Sequence, residues 1–174
     1  MIQYDPYEIK KIDDLNYNFV TDNYVIYSAQ FQINRDYFPR LDEGCSSCKD
    51  ILELTLVTDS PSPPKDFRTG ATVFKIIEEK LSKSCNGVMY RCYDNDKKGC
   101  YRDRLFNSWF DEFGDDDKIN LWVNDFSGGE GVIGKMYLMV DKGCINQKQI
   151  VDDFVTECEP CREHNSFRDF GSCS

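Results

Sequence analysis

Apolar residues recur at every second position in some segments of this chain and about every 3.6 residues in others. These two periods are typical of strands and of helices, and they restrict the fold more than any other feature. Over 15–33, apolar and polar residues alternate on both sides of a turn at Asp22-Asn23. This pattern predicts a β-hairpin with one apolar face, as in an antiparallel sheet that is buried on one side. Residues 50–58 repeat the pattern and predict a third strand, which the prolines after it end.

Helical periodicity predicts three amphipathic helices, over 66–83, over 98–113 and from about Asn146 onward. The residues of the first helix that are expected to face water are Glu78, Glu79 and Lys80. The second helix carries an aromatic stripe that is expected to be core, formed by Tyr101, Leu105, Phe106, Trp109, Phe110 and Phe113. Gly114 follows this helix as a natural stop. Further short strands are expected at 88–92, 118–125 and 133–141.

The predicted elements follow the order βββ-α-β-α-ββ-α, with about six strands and three helices. Amphipathic helices against a mainly antiparallel sheet predict a two-layer α+β domain. A length of 174 residues suits one domain. We place this domain at 1–157 and expect a polar, cysteine-containing tail at 158–174.

The chain is strongly acidic, with a formal net charge of −10 and a pI of about 4.6. Such a surface repels phosphate backbones and anionic lipid headgroups, which argues against nucleic-acid and membrane partners. It suits a basic protein partner, although net charge more commonly serves to keep a protein soluble. The N-terminus lacks the pattern of a secretory signal, so we expect a cytoplasmic protein with reduced thiols.

Two segments carry a family signature, DFRTGATVFKIIEEKL at 66–81 and YRCYDNDKKGCYRDRLFNSWF at 90–110. Together they resemble a family of uncharacterised bacterial proteins, in which Asp-x-Arg opens an apolar helix and an Arg-rich helix ends in Leu-Phe-x-x-Trp-Phe. The matching residues are Asp66, Arg68, Ile76, Ile77, Tyr90, Asp94, Asp96, Arg102, Arg104, Leu105, Phe106, Trp109 and Phe110. The chain departs from the pattern at Cys92-Tyr93-Asp94, where the family pattern has Cys-Asp. The resemblance implies the fold and a bacterial origin, and it implies no known activity.

The acidic turn between the fourth strand and the second helix is the first candidate site. Its charged residues are Asp94, Asp96, Arg102 and Arg104. Amides at a helix N-terminus attract anions, arginine binds phosphate through two hydrogen bonds, and carboxylates suit a divalent metal. The set therefore fits a phosphate- or nucleotide-handling enzyme. The alternative is helix capping, which is the commoner role of Asp beside a helix start.

Two Cys-x-x-Cys pairs among the nine cysteines form the second candidate site. Cys45, Cys48, Cys158 and Cys161 have the spacing of zinc knuckles, and four thiolates make a closed structural zinc site. His164, the only histidine, could replace one ligand. The separation between the pairs exceeds that of ordinary zinc ribbons, so we expect reduced thiols and no cofactor, with structural zinc as the alternative.

The sequence contains no convincing catalytic set, since a Cys–His mechanism would have to use a histidine in the polar tail. Exposed aromatic residues could form a protein-binding patch, and the candidates are Tyr24, Tyr37, Phe38 and Trp122. We therefore expect a non-enzymatic cytoplasmic accessory or interaction protein whose acidic surface binds a basic protein, as an antitoxin, an immunity protein or a defence-system component would. The competing hypothesis is the phosphate- or nucleotide-handling enzyme with its site at 92–104.

Overall fold

The computed structural model describes residues 4–33, 51–82, 85–93, 96–127 and 133–157. Within these ranges the chain forms a seven-stranded mixed sheet with three helices. The strands are β1 (Lys10–Lys11), β2 (Asn16–Val20), β3 (Ile26–Ile33), β4 (Ile51–Thr58), β5 (Gly87–Tyr93), β6 (Ile119–Ser127) and β7 (Ile133–Asp141). The helices are α1 (Phe67–Ser82), α2 (Gly99–Phe113) and α3 (Gln147–Glu157).

The sheet has the strand order β1-β2-β3-β4-β5-β7-β6. Its described neighbours pair antiparallel except β4 and β5, which are parallel. These two strands are the ones joined through α1, because a parallel pair needs a crossover connection long enough to hold a helix. The α+β class and the predicted order of elements are confirmed, and the two-residue strand β1 is an addition that pairs with β2.

The hairpin predicted over 15–33 is confirmed as the β2–β3 pair, with one buried face. The buried side chains of that face are Tyr17, Phe19, Tyr27, Ala29 and Phe31. The residues that alternate with them on β3, such as Ser28 and Gln30, are half-buried or exposed. The period of two thus separates a core face from a solvent face, as expected for this part of the sheet.

Helices α1 and α2 pack on one face of the sheet, and α3 packs on the other. Along β5, Val88 and Tyr90 belong to the cluster that contains α1 and α2 side chains. Met89, between them, belongs to the cluster around Ile150 of α3. Successive strand residues point to opposite faces, so the central strands are covered on both sides. The domain therefore has a third layer here, which the two-layer expectation lacked.

The contact between α1 and α2 is close because Gly70 lies against Trp109. A Cβ atom at position 70 would lie 2.5 Å from Cδ1 of the Trp109 indole, far inside normal contact distance. The ring of Phe74 adds contacts with Phe106 and Phe110, at centroid distances of 5.4 and 5.9 Å. The aromatic stripe of α2 is therefore core, as predicted, along the part of α2 that meets α1.

Tyr101 is the exception in that stripe, because 56% of it is exposed. It lies in the first turn of α2, before the residues that contact α1. Gly114 ends α2 as predicted, but its φ of −69° is not left-handed. Its N–H donates to the Phe110 carbonyl at 2.7 Å, and a Cβ atom would lie 2.5 Å from that oxygen. Glycine is needed there for close approach.

Lys80 is buried, which corrects the expectation that it faces water with its two acidic neighbours. Only 6% of it is exposed. Its ammonium donates a hydrogen bond to the Asp14 carbonyl and lies 4.9 and 5.2 Å from the ring centroids of Tyr17 and Phe31. The carbonyl and the two ring faces offset part of the cost of removing the charge from water. The flexible stem of lysine lets the ammonium reach them from the helix.

Candidate functional site

Two of the four residues predicted for the acidic turn, Asp96 and Arg102, bind each other. Arg102 donates from Nη1 to Asp96 Oδ1 at 2.8 Å and to the Tyr93 carbonyl at 3.0 Å. Its Nη2 donates to Asp96 Oδ2. Asp96 Oδ1 also accepts the N–H of Lys98 at 3.1 Å. This bidentate pair closes the turn between β5 and α2, in an exposed position.

The ion pair changes the acidity of Asp96. Hydrogen bonds from Arg102 hold the pKa of Asp96 at about 2, below its ordinary value of 3.8, and the N–H of Lys98 adds to the effect. Arg102 therefore keeps the carboxylate charged, and its guanidinium is already occupied by that carboxylate and by the Tyr93 carbonyl. A phosphate group would have to displace Asp96 to gain the same bidentate contact.

Arg104 takes no part in this pair. Its Nε donates to the Cys100 carbonyl of its own helix at 3.4 Å, and its side chain is exposed. The separation of the two arginines on α2 follows from their spacing of two residues. Asp94, the fourth predicted member, lies outside the described residues. The described members of the predicted set thus do not converge on one point where an anion could bind.

A buried polar cluster that the sequence reasoning missed lies beside this turn. We call it the Asp103 cluster, formed by Asp103, Asn107, Lys135 and Tyr137. Only 7% of Asp103 is exposed, and its Oδ1 accepts hydrogen bonds from the Tyr137 hydroxyl and, at 3.2 Å, from Asn107 Nδ2. Lys135 Nζ lies 3.5 Å from Oδ2. A carboxylate of α2 is therefore tied to two residues of β7.

Two residues of β5, Tyr90 and Cys92, lie next to this cluster. The Tyr90 ring stacks on Tyr137 at a centroid distance of 4.5 Å, and its hydroxyl is buried without a hydrogen-bond partner among the described residues. Burial raises the pKa of Tyr90 well above its ordinary value. Burial, together with the Asp103 carboxylate, raises the pKa of Cys92 to about 12. Both groups are thus neutral near pH 7 and neither is activated for nucleophilic or base chemistry.

The Asp103 cluster holds α2 against the sheet through polar contacts with β7. Its carboxylate is shared among a hydroxyl, an amide and an ammonium group, and a satisfied buried network of this kind fixes one arrangement of the elements that bear it. A sequence signal for it does exist. Asp103 lies three and seven residues before Phe106 and Phe110, so helical geometry puts it on the apolar stripe.

The Asp-x-Arg motif at the start of α1 is structural as well. Asp66 Oδ1 accepts the N–H of Arg68 at 2.9 Å, which caps the helix, and Oδ2 accepts the Tyr7 hydroxyl at 2.7 Å. Arg68 Nη1 donates to Asp22 Oδ2 at 2.7 Å, and its guanidinium lies 4.0 Å from the centroid of the Tyr7 ring. The motif therefore ties the N-terminal segment and the β2–β3 turn to α1.

An open groove of about 830 Å³ lies between the N-terminal segment, the later turns of α1 and the start of β6. Its charged lining residues are Glu8, Lys11, Lys75, Glu78, Glu79, Lys118 and Asp141. Burial raises the pKa of Glu78, and the nearby Lys118 ammonium acts against that rise. Because groups of both signs line it, the groove does not select a ligand of one charge, and no residue of the predicted sites lines it.

The aromatic residues that were considered for a binding patch do not form one in the described part of the chain. Tyr24 is 87% exposed in the β2–β3 turn, where its φ is 60°. Trp122 is partly buried against the cluster beneath α3. Tyr37 and Phe38 lie outside the described residues.

The cysteines and the histidine considered for zinc all lie outside the described residues, namely Cys45, Cys48, Cys158, Cys161 and His164. Among the residues that the structure does describe, no group of three or more His, Cys, Asp or Glu side chains could hold a metal ion. The zinc site therefore stays a prediction.

The described cysteines are in two chemical states. Cys100 is disulfide-bonded, and Cys85, Cys92 and Cys144 are free. The disulfide differs from the expectation of reduced thiols throughout, which depended on the absence of a secretory signal. Cytoplasmic location stays a prediction.

Comparison with known proteins gives no match, whether to a family model, to a curated protein or to a solved structure. The resemblance to an uncharacterised bacterial family therefore stays a prediction. None of the helices in the described ranges is long and apolar enough to cross a membrane.

Proposed function

We propose that this chain is a non-enzymatic cytoplasmic interaction protein that presents an acidic surface to a basic protein partner. The observation that carries the proposal is a run of acids in the last turn of α2 and in the connection after it, namely Asp111, Glu112, Asp115, Asp116 and Asp117, which we call the acidic ridge. Within it, Asp115 is paired with Lys118 at 2.6 Å. The two acids that lie on α2 itself, Asp111 and Glu112, are exposed.

The ridge is unfavourable for the helix that carries it. The last turn of α2 has no basic residue, and Asp111 and Glu112 lie near the negative end of the helix dipole. An acid in such a position costs on the order of 0.3–1 kcal/mol. Residues that break a local structural preference are concentrated at functional sites, and this supports a role for these charges in binding.

The charge of the whole chain acts in the same direction. The net charge of −10 produces a field that attracts a basic protein and speeds its association. Lys118 pairs with Asp115 and Lys142 donates to the Asp116 carbonyl, so the exposed acids of α2 itself, Asp111 and Glu112, are the ones that we expect to face a partner. Against the competing enzyme stands the pairing of Arg102 with Asp96, which uses the strongest anion-binding group of the acidic turn within the chain itself.

A retention experiment tests this proposal. The protein is immobilised and exposed to an extract of its native host, and bound proteins are eluted with increasing salt. We expect a basic protein that is retained at low salt and released as salt screens the charges, and that binds again after purification. The double variant Asp111→Lys/Glu112→Lys should lose it.

The control is the double variant Asp5→Lys/Glu8→Lys, which changes the net charge by the same amount at exposed positions on the N-terminal segment. It should retain the partner. Recovery of no basic protein would contradict the proposal. Equal loss of binding in both double variants would show that the total charge binds the partner and that the ridge does not.

A further inference from the structure

Cys85 and Cys144 lie side by side although they are far apart in the sequence. Cys85 belongs to the connection between α1 and β5, and Cys144 to the connection between β7 and α3. Their side chains are hydrogen-bonded to each other, and both pack on the cluster that includes Leu138 and Ile150. Both are free thiols. Two thiols at hydrogen-bonding separation can be joined in a disulfide where their Cα atoms lie within about 7 Å of each other.

The two thiols have different surroundings. Cys85 is half-buried, whereas only 8% of Cys144 is exposed. The Cys144 thiol and the N–H groups of Ile145 and Asn146 donate to Cys85 and lower its pKa. Burial raises the pKa of Cys144 to about 11. The more accessible sulfur is therefore the one that forms a thiolate more readily, and this combination defines an attacking thiol.

The position of the amides explains this difference. Ile145 and Asn146 immediately precede α3, and the Asn146 carbonyl accepts the N–H of Ile150 at 3.1 Å, so Asn146 belongs to the helix start. N–H groups at a helix start have no partner within the helix, and the dipole adds positive potential there. A thiolate at Cys85 is stabilised by the same groups that bind anions at other helix starts.

We propose that Cys85 and Cys144 form a reversible dithiol–disulfide pair that is oxidised by small disulfides of the glutathione class. The Cys85 thiolate attacks one sulfur of the disulfide, forming a mixed disulfide and releasing one thiolate. Cys144 then loses its proton to solvent and attacks Cys85 Sγ, which breaks the mixed disulfide and releases the second thiolate. The two protein thiols lose two electrons and two protons, and the small disulfide becomes two thiols.

The product would join the start of α3 to the connection between α1 and β5. The redox state of the surroundings would thereby set how firmly α3 is held on its face of the sheet, since a cross-link restricts the motion of the segments that it joins. This role is independent of the acidic ridge, which lies at the end of α2.

The test uses the freshly reduced full chain, exposed under native conditions to glutathione disulfide and then to an alkylating agent, with peptide mapping by mass spectrometry. We expect a peptide pair linked through Cys85 and Cys144. In the Cys144→Ser variant, glutathione should remain attached to Cys85. In the Cys85→Ser variant, Cys144 should stay a thiol. Cys92 serves as an internal control and should stay unreacted, because it is buried.

The proposal is wrong if Cys85 and Cys144 both remain thiols, or if the link forms only after the chain is unfolded in urea. It is also wrong if Cys144 reacts at the wild-type rate in the Cys85→Ser variant. Should a serine variant fail to fold, alkylation rates in the wild-type chain decide the question. Cys85 should then react at least about tenfold faster than Cys92, and equal rates would overturn the proposal.

Discussion

Asp103 shows how a single side chain can look like part of a reactive site and still serve the fold. It lies between two arginines in the Arg-Asp-Arg segment at 102–104, and of these three residues it alone is buried. Its carboxylate accepts the Tyr137 hydroxyl and lies 3.5 Å from Lys135. The arginines on either side stay at the surface, because neighbouring helix residues point in different directions. The charged residues of this segment thus have different roles. Asp103 joins α2 to β7 inside the protein, and Arg102 forms an ion pair with Asp96 at the surface.

The exposed pair makes a prediction about pH. In the Arg102→Gln variant, the pKa of Asp96 should rise from about 2 toward its ordinary 3.8, because the hydrogen bonds that favour the charged form are lost. The folded state lowers this pKa, so the pair stabilises the fold above about pH 4 and its contribution disappears as the pH falls through about 2.

An NMR titration of the Asp96 carboxyl carbon measures this shift directly. The matched control is Arg104→Gln, which removes the same charge two residues away and should leave the Asp96 titration unchanged, since Arg104 bonds only within its own helix in the described contacts. An unchanged Asp96 pKa in Arg102→Gln would show that the pair does not persist in solution.

At the scale of the elements, the contact between α1 and α2 depends on one glycine. The Gly70→Ala variant should destabilise the fold by about 1–3 kcal/mol, because the new methyl group meets the Trp109 indole at 2.5 Å and forces the helices apart. Urea unfolding measures the change. The control Lys75→Ala, at an exposed position of the same helix, should change stability by less than about 0.5 kcal/mol.

Alanine has a higher intrinsic helix propensity than glycine, and this by itself stabilises α1. Measuring Gly70→Ala also in a chain that carries Trp109→Leu separates this effect from the steric clash. In a Trp109→Leu chain, Gly70→Ala should cost less than in the wild type, because the indole that it strikes is gone. An equal cost in both backgrounds would show that the penalty does not come from this contact.

The elements themselves were predictable because their signals are local. Periodicity placed α1 and α2 within one residue of their observed bounds, 67–82 and 99–113, since each pattern repeats over several turns. Lys80 could not be placed in this way. Its burial depends on Tyr17 and Phe31, which are distant in sequence and near in space. The face of the sheet on which α3 packs could not be predicted either, because the apolar stripe of a helix does not specify which face of a sheet it contacts.

The same difference between local signals and contacts distant in sequence applies to the candidate site. Helical geometry alone explains why Arg102 and Arg104, two residues apart, lie on different sides of α2. The pairing of Arg102 with Asp96 depends on the path of the turn, which periodicity does not describe. The contact of Cys85 with Cys144 joins two connections that only the β5–β7 pairing brings together. Spacing along the chain carries no information about such contacts.

At the scale of the whole molecule, the fold brings together the segments that adjoin the two Cys-x-x-Cys pairs. Ile51, the first residue of β4, packs in the same cluster as Phe154 of α3. Cys48 precedes Ile51 by three residues and Cys158 follows Phe154 by four. An extended chain spans about 3.3–3.6 Å per residue, so connections of this length reach roughly 10–14 Å. The described residues that flank the two pairs therefore share one cluster, and the chain length places Cys48 and Cys158 each within that reach of it.

If Cys45, Cys48, Cys158 and Cys161 bind zinc, protein that is purified without chelators should contain about one zinc ion per chain, since a Cys₄ site is a closed structural zinc site. Chelation should lower the midpoint of thermal unfolding, because metal binding to the folded state adds to its stability. Elemental analysis measures the first outcome and calorimetry the second. The Cys48→Ser/Cys158→Ser variant should lose the metal and Cys173→Ser should keep it, since Cys173 lies outside both pairs. A content well below one zinc per chain would contradict a zinc site at these four cysteines.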